Sequence, residues 1–555
     1  MNRTCTRMTL LFLVLCLLVS FTAVADAGFE DSNLNAPGTL PLVKEPITLT
    51  VAITSNAAVE DWATNTMTKI LEEDTGIHLE FNEIPSDEFV TKIDLMIISG
   101  DPLPDIIIHN GFGGQANIMA WAQAGAIIPV NEYYEKYSYF TDECLKDALI
   151  SREDLLKYIT SYDGNIYGIA KLVENLNNMY SGSRIQLYEP WLEQLGMDMP
   201  RTTDEFIDLL RIVKETDLNG NGIADEVPLM ASKGQLGNMR KFLMTPFVYT
   251  QDEYWTVEDG KIGVSFTTDG WKEGLKYVRT MFEEGLIDTT SLTQDDNALT
   301  AALSADETTV FSYARFSNSN MSAGDIRRYD YHRVLALEGP SGEAVAVKSP
   351  VIPSIGMLIT SSCQYPEAAF LLGDYLCSTK MSVMSRYGVE GEDWHKPVEG
   401  DPESPYVSGG YSTELVFTSS WGPLQNTWWG QTGPTLLAMK WTAGQVQASS
   451  SSGDEISRAS IACNINDAEN VLASQAISKD EYVVAGLIYN EEETAVISNI
   501  YAPIKSYVEE CWALFVTGEM DIDEQWDEYV STLESMQLSE AIEAAQSCYD
   551  RMNNK

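Results

Sequence analysis

Ile47-Thr-Leu-Thr-Val-Ala-Ile53 alternates apolar and polar residues as a half-buried strand does, and the sixty residues from it onward decide the fold. Val59, Trp62, Ala63, Met67, Ile70 and Leu71 recur at helical spacing, and Thr75-Gly76 stops that helix. Ile77, Leu79 and Phe81 alternate with His78, Glu80 and Asn82 as a second strand. Ser86 is placed to cap a helix carrying Phe89, Ile93, Met96 and Ile97, closed by Gly100 and Pro102. Asp105-Ile-Ile-Ile108 is short and continuously apolar, as a strand covered on both faces is. Strand, helix, strand, helix, strand predicts an α/β unit with a mainly parallel sheet.

Upstream, Gly28–Pro46 reads as a polar linker. Before it, Arg3 and Arg7, an apolar run from Leu10 to Val19 and Ala25-Asp26-Ala27 form a secretory signal peptide over residues 1–27. Cys16 lies inside that run, and Leu13-Val14-Leu15 before it lacks the small residues of a lipid-attachment site. The expected location is therefore outside the cytoplasm: extracellular, bound to the envelope, or periplasmic where the source has an outer membrane. Downstream, helices are predicted over Asp204–Thr216, Trp271–Gly285, Pro366–Cys377, Tyr501–Thr517 and about Ser539–Met552. Ala344–Val347 and Ile355–Ile359 read as strands, and Ala448–Asp454 as a surface loop.

The charge excludes whole classes of partner. With 82 Asp plus Glu against 35 Lys plus Arg the net charge is −47, and loss of the two Arg and one Asp in residues 1–27 makes it −48. So acidic a surface repels nucleic acid and anionic lipid. Hydrophobic residues at 44% and twelve Trp supply a large core, so disorder is excluded as well. Cys144, Cys363, Cys377, Cys463, Cys511 and Cys548 remain after the signal, with no C-x-x-C pair. Disulfides among them stay open at fifteen full connectivities, and small core residues are the plainer reading.

One decapeptide is sharp. Asp217-Leu-Asn-Gly-Asn-Gly-Ile-Ala-Asp-Glu226 places the oxygens of Asp217, Asn219 and Asn221 at every second position. Gly222 allows the turn, the Ile223 carbonyl follows, and Asp225 and Glu226 complete the set. This is the first part of an EF-hand-type calcium loop, entered from a helix whose Thr202 and Glu205 have capping-box spacing. Position twelve is Pro228 rather than Glu, so Glu226 is the expected substitute. The site is structural, because no catalytic partner accompanies it.

No G-x-S-x-G, H-E-x-x-H or P-loop occurs, Gly111-Phe-Gly-Gly114 is more simply a turn, and the four His are scattered. Acidic pairs are too abundant to identify a glycosidase. Aromatic residues say more: Trp421-Gly-Pro-Leu-Gln-Asn-Thr-Trp-Trp429 sets three indoles beside Gln425 and Asn426, and Trp255, Trp394 and Tyr387 also sit near loops. Rings beside amides suit sugars, although Trp428 or Trp429 equally well fills core, and core is favoured for Trp62.

Several stretches share their order with a known family: Leu71-Glu-Glu-Asp-Thr-Gly-Ile77, Ser99-Gly-Asp-Pro-Leu-Pro-Asp105, Tyr162-Asp-Gly-Asn-Ile-Tyr-Gly168 and Tyr188-Glu-Pro-Trp-Leu-Glu-Gln-Leu-Gly196. Pro200-Arg-Thr-Thr-Asp-Glu-Phe206, Phe282-Glu-Glu-Gly-Leu-Ile-Asp288, Tyr387-Gly-Val-Glu-Gly391 and Phe515-Val-Thr-Gly-Glu519 continue it. The chain resembles the extracellular solute-binding proteins of carbohydrate ABC transporters, in the large subgroup with alginate- and other oligosaccharide-binding members. The resemblance implies a two-lobed α/β periplasmic-binding-protein type II fold with hinge crossovers and a ligand cleft between lobes. It implies an N-lobe over 47–172 with 348–400, and a C-lobe over 173–347 with 401–555. It maps the calcium site onto Asp217, Asn219, Asn221, Ile223, Asp225 and Glu226. Two departures stand out: the missing lipid-attachment motif, and Arg184-Ile-Gln-Leu-Tyr188 where relatives carry an Arg-Lys-Asp-type sequence.

The expected function is a non-enzymatic receptor, a monomer that binds an oligosaccharide and hands it to ABC permease subunits. Expected ligand contacts are Asn110, Trp421, Gln425, Trp428 and Trp429, with Tyr180, Arg184 and Arg315 as further choices. Arg315 matters most for an acidic sugar, against the alternative of an ordinary ion pair. A secreted carbohydrate-active enzyme and a receptor for peptides or lipid-linked groups on the same fold are the competing readings.

Overall fold

Strand β1 (Ile47–Thr54) pairs in parallel with β2 (Ile77–Ile84) along its whole length, from Ile47 against Ile77 to Thr54 against Ile84. It pairs in parallel with β3 (Ile106–Ile108) on its other side. Parallel neighbours need crossover connections. These are helices α1 (Thr66–Thr75) and α2 (Phe89–Ser99), closed by Gly76 and Gly100 in the left-handed conformation at φ 74° and 73°. A computed structural model describes residues 32–112, 114–175, 179, 184–315, 321, 325–349, 351–399, 401, 414–418, 425–442, 446–447, 484 and 486–553. The signal peptide, Cys16, Cys463 and the 448–454 loop lie outside them.

Details of the opening unit differ from the sequence reading where long-range packing intervenes. The helix starts at Thr66, later than the apolar spacing suggests, because the Asn65 side chain accepts the Met67 N–H and caps it there. Trp62 precedes that helix and is buried in the core. Ser86 caps nothing: α2 begins after Glu88, with no side-chain cap. The segment expected as a linker is docked. Leu42 and Val43 are buried, and their N–H groups reach the Thr75 carbonyl at the end of α1.

β4 (Gly168–Val173) completes the first pass of the chain through this sheet. A second sheet is then built from β5 (Ile185–Tyr188), β6 (Val227–Met230), β7 (Val310–Ala314) and β8 (Tyr331–Arg333), in the order β8-β5-β7-β6. Only β6 and β7 are parallel in it. Helices α3 (Thr203–Glu215) and α4 (Asp269–Glu283) turn Phe206, Leu210 and Val213, and Trp271, Leu275 and Val278, into one core. The capping box is half formed: Thr202 accepts the Glu205 N–H, but the Glu205 carboxylate takes the N–H of Arg201. Ala344–Val347 is not a strand; Ala344 and Val345 are bridge residues only, Ala344 antiparallel to Glu338.

The chain returns to the first sheet as β9 (Ser354–Ile359), followed by helix α5 (Pro366–Leu376), and later as β10 (Thr435–Leu437). That sheet runs β10-β4-β9-β3-β1-β2, with β9 antiparallel to both β3 and β4. Gly356 sits at a bulge in β9, where a Cβ would meet Gly433 and Pro434 at 2.8 Å, so only glycine fits. Helices α6 (Ala502–Thr517) and α7 (Leu538–Met552) join the core of the second sheet.

The described residues thus form two units. One draws on Met1–Leu172, Pro353–Asp393 and Ser420–Leu437, the other on Val173–Ile352, Trp394–Ser419 and Ala438–Lys555. The boundaries differ from the expected division in three places: 348–352 and 394–400 fall in the second unit, and the segment ending at Leu437 returns to the first, where β10 pairs. Cys144, Cys377, Cys511 and Cys548 are buried, and Cys363, Cys377, Cys511 and Cys548 are free thiols.

Candidate functional site

In open α/β sheets ligands gather outside the carboxyl ends of the strands. In the first unit β3 and β4 both run antiparallel to β9, so their carboxyl ends share one edge. Asn110 follows β3 there and is exposed. Its Oδ1 accepts a 2.6 Å bond from Nζ of Lys171, which β4 carries to the same edge. Nζ also donates to the Gln431 carbonyl at 2.5 Å, while Gln431 Oε1 accepts from Arg386 Nη1 at 2.5 Å. Gln431 holds φ at 61°, a conformation L side chains rarely adopt. Burial lowers the Lys171 pKa to about 8.

The neighbouring turn supports this edge. His109 Nδ1 accepts the Phe112 N–H at 3.1 Å, and its ring lies 4.5 Å from that of Phe89. Burial, with the charge of Lys171 second, lowers the His109 pKa. Phe112 is fully buried at φ 49°, and Gly114 N–H closes on the Gly111 carbonyl. The glycine-bearing segment is a turn.

Three expected ligand contacts are structural instead. Trp429 has no exposed surface: it meets Trp62 edge-on at 5.8 Å and donates Nε1–H to Thr68 at 2.9 Å. Trp428 is buried and its carbonyl accepts from Asn65. Gln425 uses its amide within the turn, accepting the N–H groups of Thr427 and Trp428 and donating to the Trp428 carbonyl. Trp255, Trp394 and Tyr387 are buried too. Trp421 and Tyr180 lie outside the described residues.

In the second unit Arg184 precedes β5 and Arg315 follows β7, and the pairing of Ile185 with Ala314 sets them side by side. Arg315 N–H donates to the Arg184 carbonyl at 3.2 Å. Arg184 is fully buried, which removes it from direct ligand contact in this conformation. Arg315 is one-fifth exposed and stands 3.9 Å from Asp296, a long and weak pair. Among the described residues its Nη1 and the buried Tyr313 hydroxyl have no hydrogen-bond partner. Burial pushes the Tyr313 pKa well up, and Arg315 and Arg184 pull it the other way. Elsewhere in this unit Trp255, Val347, Lys348 and Tyr489 line a cavity of about 400 Å³, with Trp255 stacked 4.0 Å from Tyr501.

The loop Asp217–Glu226 is folded by its own oxygens. Asp217 accepts the N–H groups of Gly220 and Gly222, Asn219 that of Asn221, and Asn221 that of Ile223. The amides of Asn219 and Asn221 donate to Asp225 at 3.3 and 3.2 Å. Glu226 is buried: Oε1 accepts from Leu218 and Asn219, and Oε2 has no partner among the described residues. A buried carboxylate oxygen without a partner is costly, and its chemistry fits a bound cation. Among the described residues no three His, Cys, Asp or Glu side chains cluster as metal ligands, so Asn and carbonyl oxygens are needed in any such site.

Sequence and structure comparisons place the chain. The family described as bacterial extracellular solute-binding protein matches residues 53–382. The fructooligosaccharide ABC transporter substrate-binding protein FusA of Streptococcus pneumoniae is 28% identical over 96% of this chain and 97% of its own length. The structure of FusA in complex with kestose is similar at TM-score 0.67 and 26% identity, covering 92% of this chain and all of that one. A further structure of FusA is an EF-hand mutant in complex with fructo-nystose. The alginate-binding protein AlgQ2, at 20% identity and TM-score 0.60 over 92% of this chain and 99% of that one, shares the fold.

Proposed function

Because the chain belongs to the bacterial extracellular solute-binding proteins, we propose that it is the exported receptor of an ABC importer, binding an oligosaccharide for delivery to the permease. The observation that carries this reading is the full-length likeness to FusA, a protein seen with kestose in its structure. Residues 1–27 are the export signal on this reading, and among the described residues no helix is long and apolar enough to cross a membrane. Asn110 and Arg315, each on a strand-end edge of its unit, are the described residues we assign to ligand contact. Arg184 acts by bracing Arg315. The receptor works as a monomer and does no chemistry on the sugar. Incubation with fluorescently labelled kestose and fructo-nystose tests this: tight retention of unchanged sugar is expected, and product formation would refute it.

We infer also that Asp217, Asn219, Asn221, Asp225, Glu226 and the Ile223 carbonyl hold a structural calcium ion. Their oxygens are the hard donors calcium takes, and the unpartnered Glu226 Oε2 supports the fit. Pro228 removes the usual twelfth-position carboxylate, which assigns that duty to Glu226. The ion would offset two of the three carboxylate charges within these ten residues. It would also pin the end of α3 to the start of β6.

A further inference from the structure

We propose that Lys171 is a ligand-binding residue whose Nζ, held between Asn110 Oδ1 and the Gln431 carbonyl, donates to hydroxyl oxygens of a neutral oligosaccharide. The inference rests on the oligosaccharide-receptor reading and names a subsite within it. An ammonium has three N–H donors, and two are used here, on neutral oxygens at 2.6 and 2.5 Å. Other half-buried lysines of this acidic chain face carboxylates: Lys272 and Lys276 pair with Asp523, and Lys505 with Glu253. Among the described residues Lys171 has none within 4 Å, and no carboxylate contributes to its shifted pKa. A purely structural bridge has no need to keep such a cation unpaired.

Its surroundings are built to hold that geometry. Gln431 keeps its carbonyl on Nζ through a left-handed backbone conformation, and Arg386 fixes the Gln431 side chain. A strained residue persists only where its neighbours over-determine it, and such residues gather at ligand sites. Asn110 is exposed at the end of β3, so its amide stands beside the ammonium as a second donor. A sugar hydroxyl accepts one bond and donates another. Adjacent hydroxyls can therefore accept hydrogen bonds from Lys171 and Asn110 and donate one to Asn110 Oδ1 or the Gln431 carbonyl. An acidic ligand would use the ammonium but not those two acceptors.

Calorimetric titration of the full chain with kestose, fructo-nystose and trigalacturonate tests the assignment, in wild type, Lys171→Met and Lys171→Arg. The expected result is a loss of about 10- to 100-fold for a neutral sugar in K171M, the size for a hydrogen bond to a charged group. K171R should recover part of it. Mass-spectrometric acetylation of the wild type is the companion measurement: bound neutral sugar should protect Lys171, and this decides the matter even if K171M does not fold. Unchanged affinity in a folded K171M, an unprotected Lys171, or binding of trigalacturonate alone would overturn the subsite and leave the receptor reading standing. A wild type that retains none of these sugars would overturn both.

Discussion

The loop Asp217–Glu226 and the turn Gln425–Pro434 are both rich in amides and glycines, yet they are held in opposite ways. The first is closed almost wholly by itself: its side-chain oxygens accept N–H groups two to eight residues away. The second is clamped by groups some 360 positions distant: Asn65 on the Trp428 carbonyl, Thr68 on the Trp429 indole, Asn56 on Thr432. A self-closed loop can be refilled or emptied without disturbing the core. A turn clamped from afar is part of the core, and its rings are not free to meet a ligand.

The largest expected effect follows from that second case. Trp429→Ala should remove an indole packed against Trp62 and Phe81, together with its hydrogen bond to Thr68, costing about 3–5 kcal/mol. Denaturant unfolding with unchanged slope would show it. A cost under about 1 kcal/mol would mean that the turn is not core, and would break the contrast.

Calcium should act on the other region alone. At a free concentration a hundred times its dissociation constant, the ion should stabilise the protein by about 2.7 kcal/mol, read as a rise in melting temperature that chelator reverses. Asp217→Ala should abolish that rise and leave the chelated protein little changed. A melting temperature indifferent to calcium would remove the ion from the account. Next in size is Asn65→Ala, which takes away both the cap of α1 and a donor to Trp428, at about 1–2 kcal/mol by the same unfolding measurement.

The same contrast explains what was legible. The calcium-type loop could be read because its whole donor set is contiguous, and β1, β2 and β3 because alternation and apolar runs are local signals. The roles of Trp428 and Trp429 were not legible, since their partners Asn65 and Thr68 lie at the start of α1, across most of the chain. Lys171 left no signal at all. Its anchors are 61 and 260 residues away, and one of them is a backbone carbonyl, which no residue type announces. Arg315 was visible as one of few cations, but its place beside Arg184 depends on the register of β5 with β7. Ala344–Val347 has strand composition without a neighbouring strand to pair with, and composition alone does not make one.

The smallest effect tests the turn's contact with Lys171. The pKa of Lys171 is lowered to about 8 by burial, so the folded protein gives up that proton more readily than the unfolded chain. Below pH 8 both states hold the proton and this group contributes no slope. From there toward the ordinary lysine value the unfolded chain binds the extra proton, so stability rises with pH. Wild type should therefore gain relative to Lys171→Met between pH 7 and about 9.5, below the range where the buried tyrosines ionise on unfolding. Solvent around a half-buried ammonium screens the gain to the order of 1 kcal/mol. Paired unfolding curves at the two pH values measure it. A difference that does not move with pH would mean that Nζ is hydrated like any surface lysine, and the clamp on Gln431 would then be too loose to position a ligand.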